Sequence, residues 1–288
     1  MKGIVLAGGT GSRLWPITQS VSKQLLPVYD KPMIYYPIST LMLAGVREIL
    51  VITTPDDHSS FKKLLGDGSQ FGIQILFETQ KAPEGLAQAL LIGKDFLDGN
   101  PCILILGDNI FHGTGLGQEL KNILPQGGCH IFTYEVSNPR EYGILTLDKS
   151  GVPISIQEKP VSNSSKLAIT GMYFFDNRAS EFASQVTPSN RGELEITDVL
   201  EQYLARQELT FTHLSRGSTW LDTGNPMSLS DAANYIRVVE ERTGLKIACL
   251  EEIALLNGWI SWEELKNLPS LSANNDYSRY LRQISSNN

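Results

Sequence analysis

Short apolar runs alternate with amphipathic stretches through the first hundred residues. Lys2-Gly3-Ile4-Val5-Leu6-Ala7 opens the chain, and Glu48 to Thr53, Ile73 to Phe77 and Cys102 to Leu106 repeat the same aliphatic signature. Runs with no polar alternation predict strands buried on both faces of a sheet. Met33 to Gly45, Asp57 to Leu65 and Leu86 to Phe96 read as the intervening helices, the first ended by Gly45. Strands and helices at this spacing predict right-handed βαβ units and an α/β fold with a doubly wound, mostly parallel, Rossmann-like sheet.

From about Gly128 the strand signals crowd together. Ile131 to Val136, Ile144 to Leu147, Ile154 to Gln157 and Ala168 to Phe175 are separated by turn residues and predict a strand-rich, mixed extension of the sheet. Leu194 to Arg206 reads as a helix and Leu209 to Leu214 as a strand. Met227 to Arg242, Leu250 to Asn257, Ser261 to Asn267 and Asn275 to Ile284 are helical. The pattern divides the chain into a core over 1–226, with parts over about 1–127 and 128–226, and a helical tail over 227–288. The tail is expected to pack on the core or at a subunit interface.

Composition adds exclusions. At 288 residues, 41% apolar and 19% charged, the chain has material for a full core. A net charge of −7 argues against nucleic-acid or membrane-surface binding, so any anionic ligand must be held by local cations, metal ions or backbone amides. Cys102, Cys129 and Cys249 lie far apart and match no metal spacing, so they read as buried thiols in a reducing compartment. Without a signal peptide or a membrane-length apolar run, the expected location is the cytoplasm.

Candidate chemistry starts at Gly8-Gly9-Thr10-Gly11-Ser12-Arg13, directly after the first strand. Glycines there let backbone N–H groups approach a ligand, and the arginine suggests a phosphate. The loop lacks the Lys-Ser/Thr of a Walker loop and the third glycine of the dinucleotide fingerprint. Gln80 to Gly85 and Asp108 fall at the carboxyl ends of later strands, where ligands sit in open α/β sheets. Asp108 reads as a metal-binding carboxylate, being placed several residues too early to cap the segment after Gly113. Asp222 reads equally as a second ligand or as a turn-stabilising aspartate. Glu158-Lys159-Pro160 follows a strand. Pro160 predicts extended backbone at Lys159, while a solvated ion pair is the alternative for Glu158 and Lys159. No nucleophile elbow or Cys–His pair stands out, and His58, His112, His130 and His213 read as structural or solvent-facing.

Taken together, Leu6 to Pro16, Lys23-Gln24-Leu25-Leu26-Pro27, Gly107-Asp108-Asn109 and Glu158-Lys159-Pro160 resemble the sugar-1-phosphate nucleotidylyltransferases. Tyr29 to Pro37, Leu64 to Ser69, Asp108 to Phe111, Arg191 to Asp198 and Trp220 to Gly224 narrow the resemblance to the branch that joins dTTP to α-D-glucose 1-phosphate. The resemblance implies Gly8, Gly11, Ser12, Arg13, Lys23 and Gln24 at the nucleotide, Gln80 and Gly85 at the base, and Asp108 also near the deoxyribose. It implies Mg²⁺ on Asp108 and Asp222. Asn109, Gly143, Glu158, Lys159 and Ile169 would serve the sugar phosphate, with Arg13, Lys23 and Lys159 as the catalytic cations. It further implies a homotetramer with feedback by a dTDP-sugar at a second site.

Overall fold

The computed structural model describes residues 1–123, 127–162 and 165–286. Strand β1 (Lys2–Ala7) is followed by a small hairpin, β2 (Pro27–Val28) and β3 (Lys31–Pro32), then α1 (Tyr35–Leu43), β4 (Glu48–Thr53), α2 (His58–Leu65) and β5 (Gln74–Thr79). Next come α3 (Gln88–Ile92), α4 (Lys94–Leu97), β6 (Cys102–Leu106), β7 (Asn109–His112), α5 (Leu116–Asn122), β8 (Cys129–Glu135), β9 (Gly143–Leu147), β10 (Pro153–Glu158) and β11 (Leu167–Phe175). The chain continues through α6 (Ala179–Ala183), α7 (Ile196–Ala205), β12 (Leu209–His213) and β13 (Thr219–Asp222) to α8 (Pro226–Thr243), α9 (Leu250–Leu256), α10 (Trp262–Lys266) and α11 (Asp276–Ser286).

A nine-stranded sheet runs β10-β9-β11-β6-β1-β4-β5, with β8 beside β11 and β12 beside β8. β6, β1, β4 and β5 are parallel, whereas β11 joins β6 antiparallel and begins the mixed extension. The pattern of β1 explains its central place. Val5 and Ala7 belong to one apolar layer with Ile38 and Leu41 of α1. Ile4 and Leu6 belong to the other with Leu90 of α3 and Leu200 of α7. Each such aliphatic side chain contributes about 1.5–3 kcal/mol by leaving water, which only a strand covered on both faces can collect twice over.

Three expectations change in detail. The helix read over Leu86 to Phe96 is two short pieces, α3 and α4, that meet at Gly93. A Cβ there would lie 2.7 Å from Ile4 Cδ1 and 3.1 Å from Ala89 O, so close packing on β1 fixes the break. Helix α1 starts at Tyr35, two residues later than expected, and Met33 N and Ile34 N tie its entry to Leu26 O and Gln24 O, each at 2.9 Å. Residues Asn109 to His112 form β7, which the hydrophobic pattern did not announce.

The tail covers α1 on its outer side: Leu250, Ala254, Leu265 and Leu281 share the apolar layer of Ile38 and Leu41. The three cysteines are buried free thiols, and burial pushes Cys102 up to about 12. A buried ionic cluster pins α8 to the β2–β3 hairpin. Lys31 Nζ donates to Asp30 Oδ1 at 2.5 Å and Glu240 Oε1 at 2.9 Å, while Lys246 Nζ donates to Glu240 Oε2 at 2.7 Å. The Lys31 and Glu240 side chains are only 2% and 3% exposed. Removing one member of such a cluster leaves uncompensated buried charge, so Glu240→Ala is expected to lower unfolding free energy by about 3 kcal/mol. Chemical denaturation checks this, and a loss under about 1 kcal/mol would mean that the cluster behaves like a surface pair.

Candidate active site

With β4 on one side of β1 and β6 on the other, the strand order turns at β1–β6, and the crevice beyond their carboxyl ends is the natural ligand site. A cleft of ≈ 330 Å³ opens there. Gly8 and Gly9 leave β1 into it, and Gly107-Asp108 leave β6 beside them, with Gly107 N donating to Leu6 O at 2.9 Å. A side chain on Gly8 would strike the Gln80 amide. Gly11 adopts φ +57° to start the turn Ser12–Leu14, and its carbonyl accepts from Thr18 Oγ1 at 2.8 Å. That turn brings Arg13 against Gly224, where a Cβ would lie 3.2 Å from the guanidinium carbon.

The two aspartates meet through a two-stranded ribbon. β7 pairs antiparallel with β13, placing Asn109 opposite Asp222 and therefore Asp108 next to it. Neither carboxylate caps a helix. Thr223 Oγ1 donates to Asp108 O at 2.8 Å, and α8 begins just beyond behind a capping box of Asn225 and Ser228. Lys23 Nζ donates to Asp108 Oδ2. Burial first, and then the negative charge of Asp108, hold the Asp222 carboxyl above the usual carboxylate range, with Lys23 and Arg13 opposing. Two hard oxygen donors in mutual repulsion, flanked by cations, fit a divalent metal ion with phosphates and water completing its shell. Among the described residues no group of three His, Cys, Asp or Glu could hold a metal alone.

At one end of the cleft Gln80 is buried, and its Nε2 donates to Gly85 O at 3.1 Å and Gln88 Oε1 at 2.7 Å. Gly85 lines the cleft, but its φ of +102° and a Cβ that would strike the Leu194 backbone give the nearest reason for glycine. Its two flanks are tied to the same residue, through Leu194 N to Glu84 O at 2.7 Å and Ala87 N to Leu194 O at 3.1 Å.

At the other end Gly143 and Glu158 are ladder partners on β9 and β10. Burial raises the Glu158 carboxyl above its ordinary range, opposed chiefly by the Lys159 charge. Lys159 departs from the extended backbone expected before Pro160: its φ is +42°. Its N–H still donates to Tyr142 O at 3.0 Å, so the chain keeps the last ladder bond while turning out of β10. Glu158 and Lys159 do form an ion pair, at 3.6 Å, but on the cleft wall.

Gly8, Arg13, Gln24, Gln80, Gly85, Asp108, Asn109, Gly143, Glu158, Lys159, Ile169 and Asp222 all line this one cleft. Gly11, Ser12 and Lys23 are not in its wall, and Lys23 reaches it through Asp108. Sequence reasoning assigned no role to Tyr142, Trp220, Arg191 or Glu195, which also line it. Arg191 and Glu195 lie within a stretch that carries the resemblance, which was their only signal. Arg191 Nη2 donates to Glu195 Oε1 and Oε2, each at 2.8 Å, and to Glu158 Oε1 at 3.4 Å. The histidines are structural, as expected: His112 Nδ1 bonds Tyr235 Oη at 2.7 Å and His130 sits between Thr210 and Thr212. No helix of the described residues is long and apolar enough to cross a membrane.

Residues 2–238 match the family described as nucleotidyl transferase. A glucose-1-phosphate thymidylyltransferase of Neisseria meningitidis is 53% identical over 285 residues, 99% of either chain. One of Mycobacterium tuberculosis is 48% identical over 99% of each. A solved structure from Bacillus anthracis, titled as a glucose-1-phosphate thymidylyltransferase with a sucrose, superposes with a TM-score of 0.75 at 37% identity, covering 82% of this chain and 95% of that one. A UDP-glucose pyrophosphorylase bound to UDP-glucose, 24% identical with a TM-score of 0.72 over 83% of this chain and 98% of that one, shares the fold.

Proposed function

The chain belongs to the nucleotidyl transferase family, and on that premise we propose that it transfers the dTMP moiety of dTTP to α-D-glucose 1-phosphate, giving dTDP-glucose and pyrophosphate. One observation carries the reading: a single cleft is lined at once by the glycine loop with Arg13, by the Asp108–Asp222 pair, and by Glu158 with Lys159. A triphosphate and a sugar phosphate need those three features side by side.

Glucose 1-phosphate is already an anion at neutral pH, so its oxygen attacks the α-phosphorus without a general base. The bond to the bridging oxygen breaks, and its electron pair leaves on pyrophosphate. What remains for the protein is positioning and charge. Gly8 brings backbone close to the nucleotide, and Arg13 faces the departing β and γ phosphates. Lys23, paired with Asp108, adds positive charge beside the α-phosphate. Lys159 draws in the sugar phosphate, while Glu158 accepts from glucose hydroxyls across from Gly143, where any side chain would press on it. Gln80, with Nε2 committed to Gly85 and Gln88, keeps its oxygen for the N3–H of thymine. Asp108 and Asp222 would hold a magnesium ion, whose charge, when bound, offsets that of the phosphate oxygens.

Pyrophosphate release from dTTP, UTP, CTP and GTP with glucose 1-phosphate and Mg²⁺ tests the reading. dTTP is expected to lead. Release with none of them would end the transferase assignment, and a UTP preference would end its thymidylyl half. In the same assay Lys159→Ala is expected to raise KM for glucose 1-phosphate about 10- to 100-fold, the size of a charged hydrogen bond to phosphate. A change in the dTTP dependence alone would exchange the roles of Lys23 and Lys159.

A further inference from the structure

Two glutamines and a glutamate form a hydrogen-bonded chain behind the Gln80 end of the cleft. Gln80 and Gly85 line the cleft, whereas Glu84 and Gln88 stand outside its wall. Gln80 Nε2 donates to Gly85 O at 3.1 Å and to Gln88 Oε1 at 2.7 Å. Gln88 Nε2 donates in turn to Glu84 Oε2 at 2.5 Å. Both hydrogens of the Gln80 amide nitrogen have acceptors within the protein. Its oxygen lies over Gly8, where a Cβ would come within 2.4 Å of it, and among the described residues nothing donates to that oxygen. A glutamine amide can face a neighbour with its oxygen or its nitrogen, but the two ends of this chain remove that freedom. The Gly85 carbonyl and an ionised Glu84 carboxylate only accept. Glu84 therefore turns the Gln88 nitrogen to itself and the Gln88 oxygen to Gln80. Gly85 and Gln88 together then turn the Gln80 nitrogen inward and its oxygen to the cleft. Gln80 is only 5% exposed, so water is a poor substitute for a lost partner. Backbone bonds hold the ends in place: Gln80 N donates to Thr53 O at 2.8 Å, and Leu194 N donates to Glu84 O at 2.7 Å.

We propose that Glu84 and Gln88 set the base preference of the cleft by fixing which end of the Gln80 amide faces it. The site then takes a base with a ring N–H at that edge, thymine or uracil, and rejects cytosine, whose ring nitrogen there is an acceptor. The proposal rests on the reading that places the base at Gln80. Glu84 and Gln88 are positioning residues, because they act on the nucleotide through Gln80. A site built to pair with one polar group of its substrate discriminates strongly against an analogue that lacks it, since a buried polar atom of the protein is left unpaired. With cytosine the mismatch is worse, because two acceptors would face each other.

dUTP and dCTP share the deoxyribose and both lack the thymine methyl, so the ratio of their kcat/KM values reads the ring edge alone. It is measured on the full-length protein by pyrophosphate release with glucose 1-phosphate and Mg²⁺, with thermal melting as a folding control. Wild type is expected to favour dUTP. Gln88→Lys offers Gln80 only a donor, which draws the Gln80 oxygen away from the base and should cut the ratio about 10-fold or more. Gln88→Leu offers no acceptor and should cut it about 5-fold. The double variant Glu84→Gln/Gln88→Glu moves the carboxylate one step along the chain and still presents an acceptor to Gln80. Its ratio is expected to stay within about threefold of wild type, a rescue that packing alone does not explain. Gln88→Lys and Gln88→Leu proteins that melt like wild type and keep its ratio would overturn the proposal, even if kcat fell equally for both nucleotides. A double variant as unselective as Gln88→Lys would overturn it too. If wild type showed no dUTP preference, or Gln80→Leu left the ratio unchanged, the placement of the base at Gln80 would be what failed.

Discussion

Asp108→Asn and Asp222→Asn are each expected to cut kcat about 10²- to 10³-fold, the several kcal/mol that a bound metal ion contributes to charge stabilisation. Both replacements keep side-chain shape, so the effect tests charge and coordination. Their stability effects should differ in sign. The fold holds the Asp222 carboxyl above its usual range, through burial and then the Asp108 charge. A raised folded-state value means that the ionised form costs stability at pH values above it. Asp222→Asn removes that cost, and the variant should melt at or above the wild-type temperature at neutral pH. Asp108→Asn instead deprives the nearly buried Lys23 of its anion and should melt lower. Steady-state kinetics at saturating Mg²⁺ and thermal melts on the same samples read both. Near-normal turnover in either variant would show that the metal lies elsewhere.

Arg13→Ala should be almost as severe, lowering kcat about 10²-fold, the loss seen when one preorganised donor to developing charge is removed. The turn Ser12–Leu14 sets the side chain against Gly224, close enough to Asp222 for its charge to oppose the upward shift of that carboxyl's pKa. From there the guanidinium can grip two oxygens of the leaving pyrophosphate, which a lysine's single ammonium cannot do. Arg13→Lys should therefore recover only part of the loss. The reverse reaction sharpens the test, because KM for pyrophosphate should rise in both variants. A rise confined to the KM for glucose 1-phosphate would place Arg13 at the wrong substrate.

The parallel half of the sheet was legible because β1, β4 and β6 carry uninterrupted aliphatic runs, and burial on both faces leaves no other stable placement. The glycine loop and Asp108 were legible for the same reason: they sit where those runs stop. What escaped depends on partners far away in sequence. Asn109-Ile110-Phe111-His112 is too short and too close to a turn to declare itself a strand, and its partner β13 lies over a hundred residues on. Arg191 and Glu195 gain their place from a loop fold that no periodicity encodes. Gly85 was placed at the base by resemblance, whereas its φ of +102° and the Leu194 backbone already call for glycine there. Lys159 keeps a ladder bond at a left-handed backbone angle, and that tertiary constraint overrides the local preference of a residue before proline.

The ribbon of β7 and β13 also bears on how the protein matures. Asp108 leaves the ribosome early with the parallel strands, whereas Asp222 emerges only after the whole mixed extension. Closing a loop of that length carries an entropic cost that nearby strand pairings do not. Half of the proposed metal site is thus present in a partly made chain, and the other half arrives with a strand pairing that spans more than a hundred residues. A nascent or truncated chain can complete its parallel sheet and still lack one of the two proposed metal carboxylates.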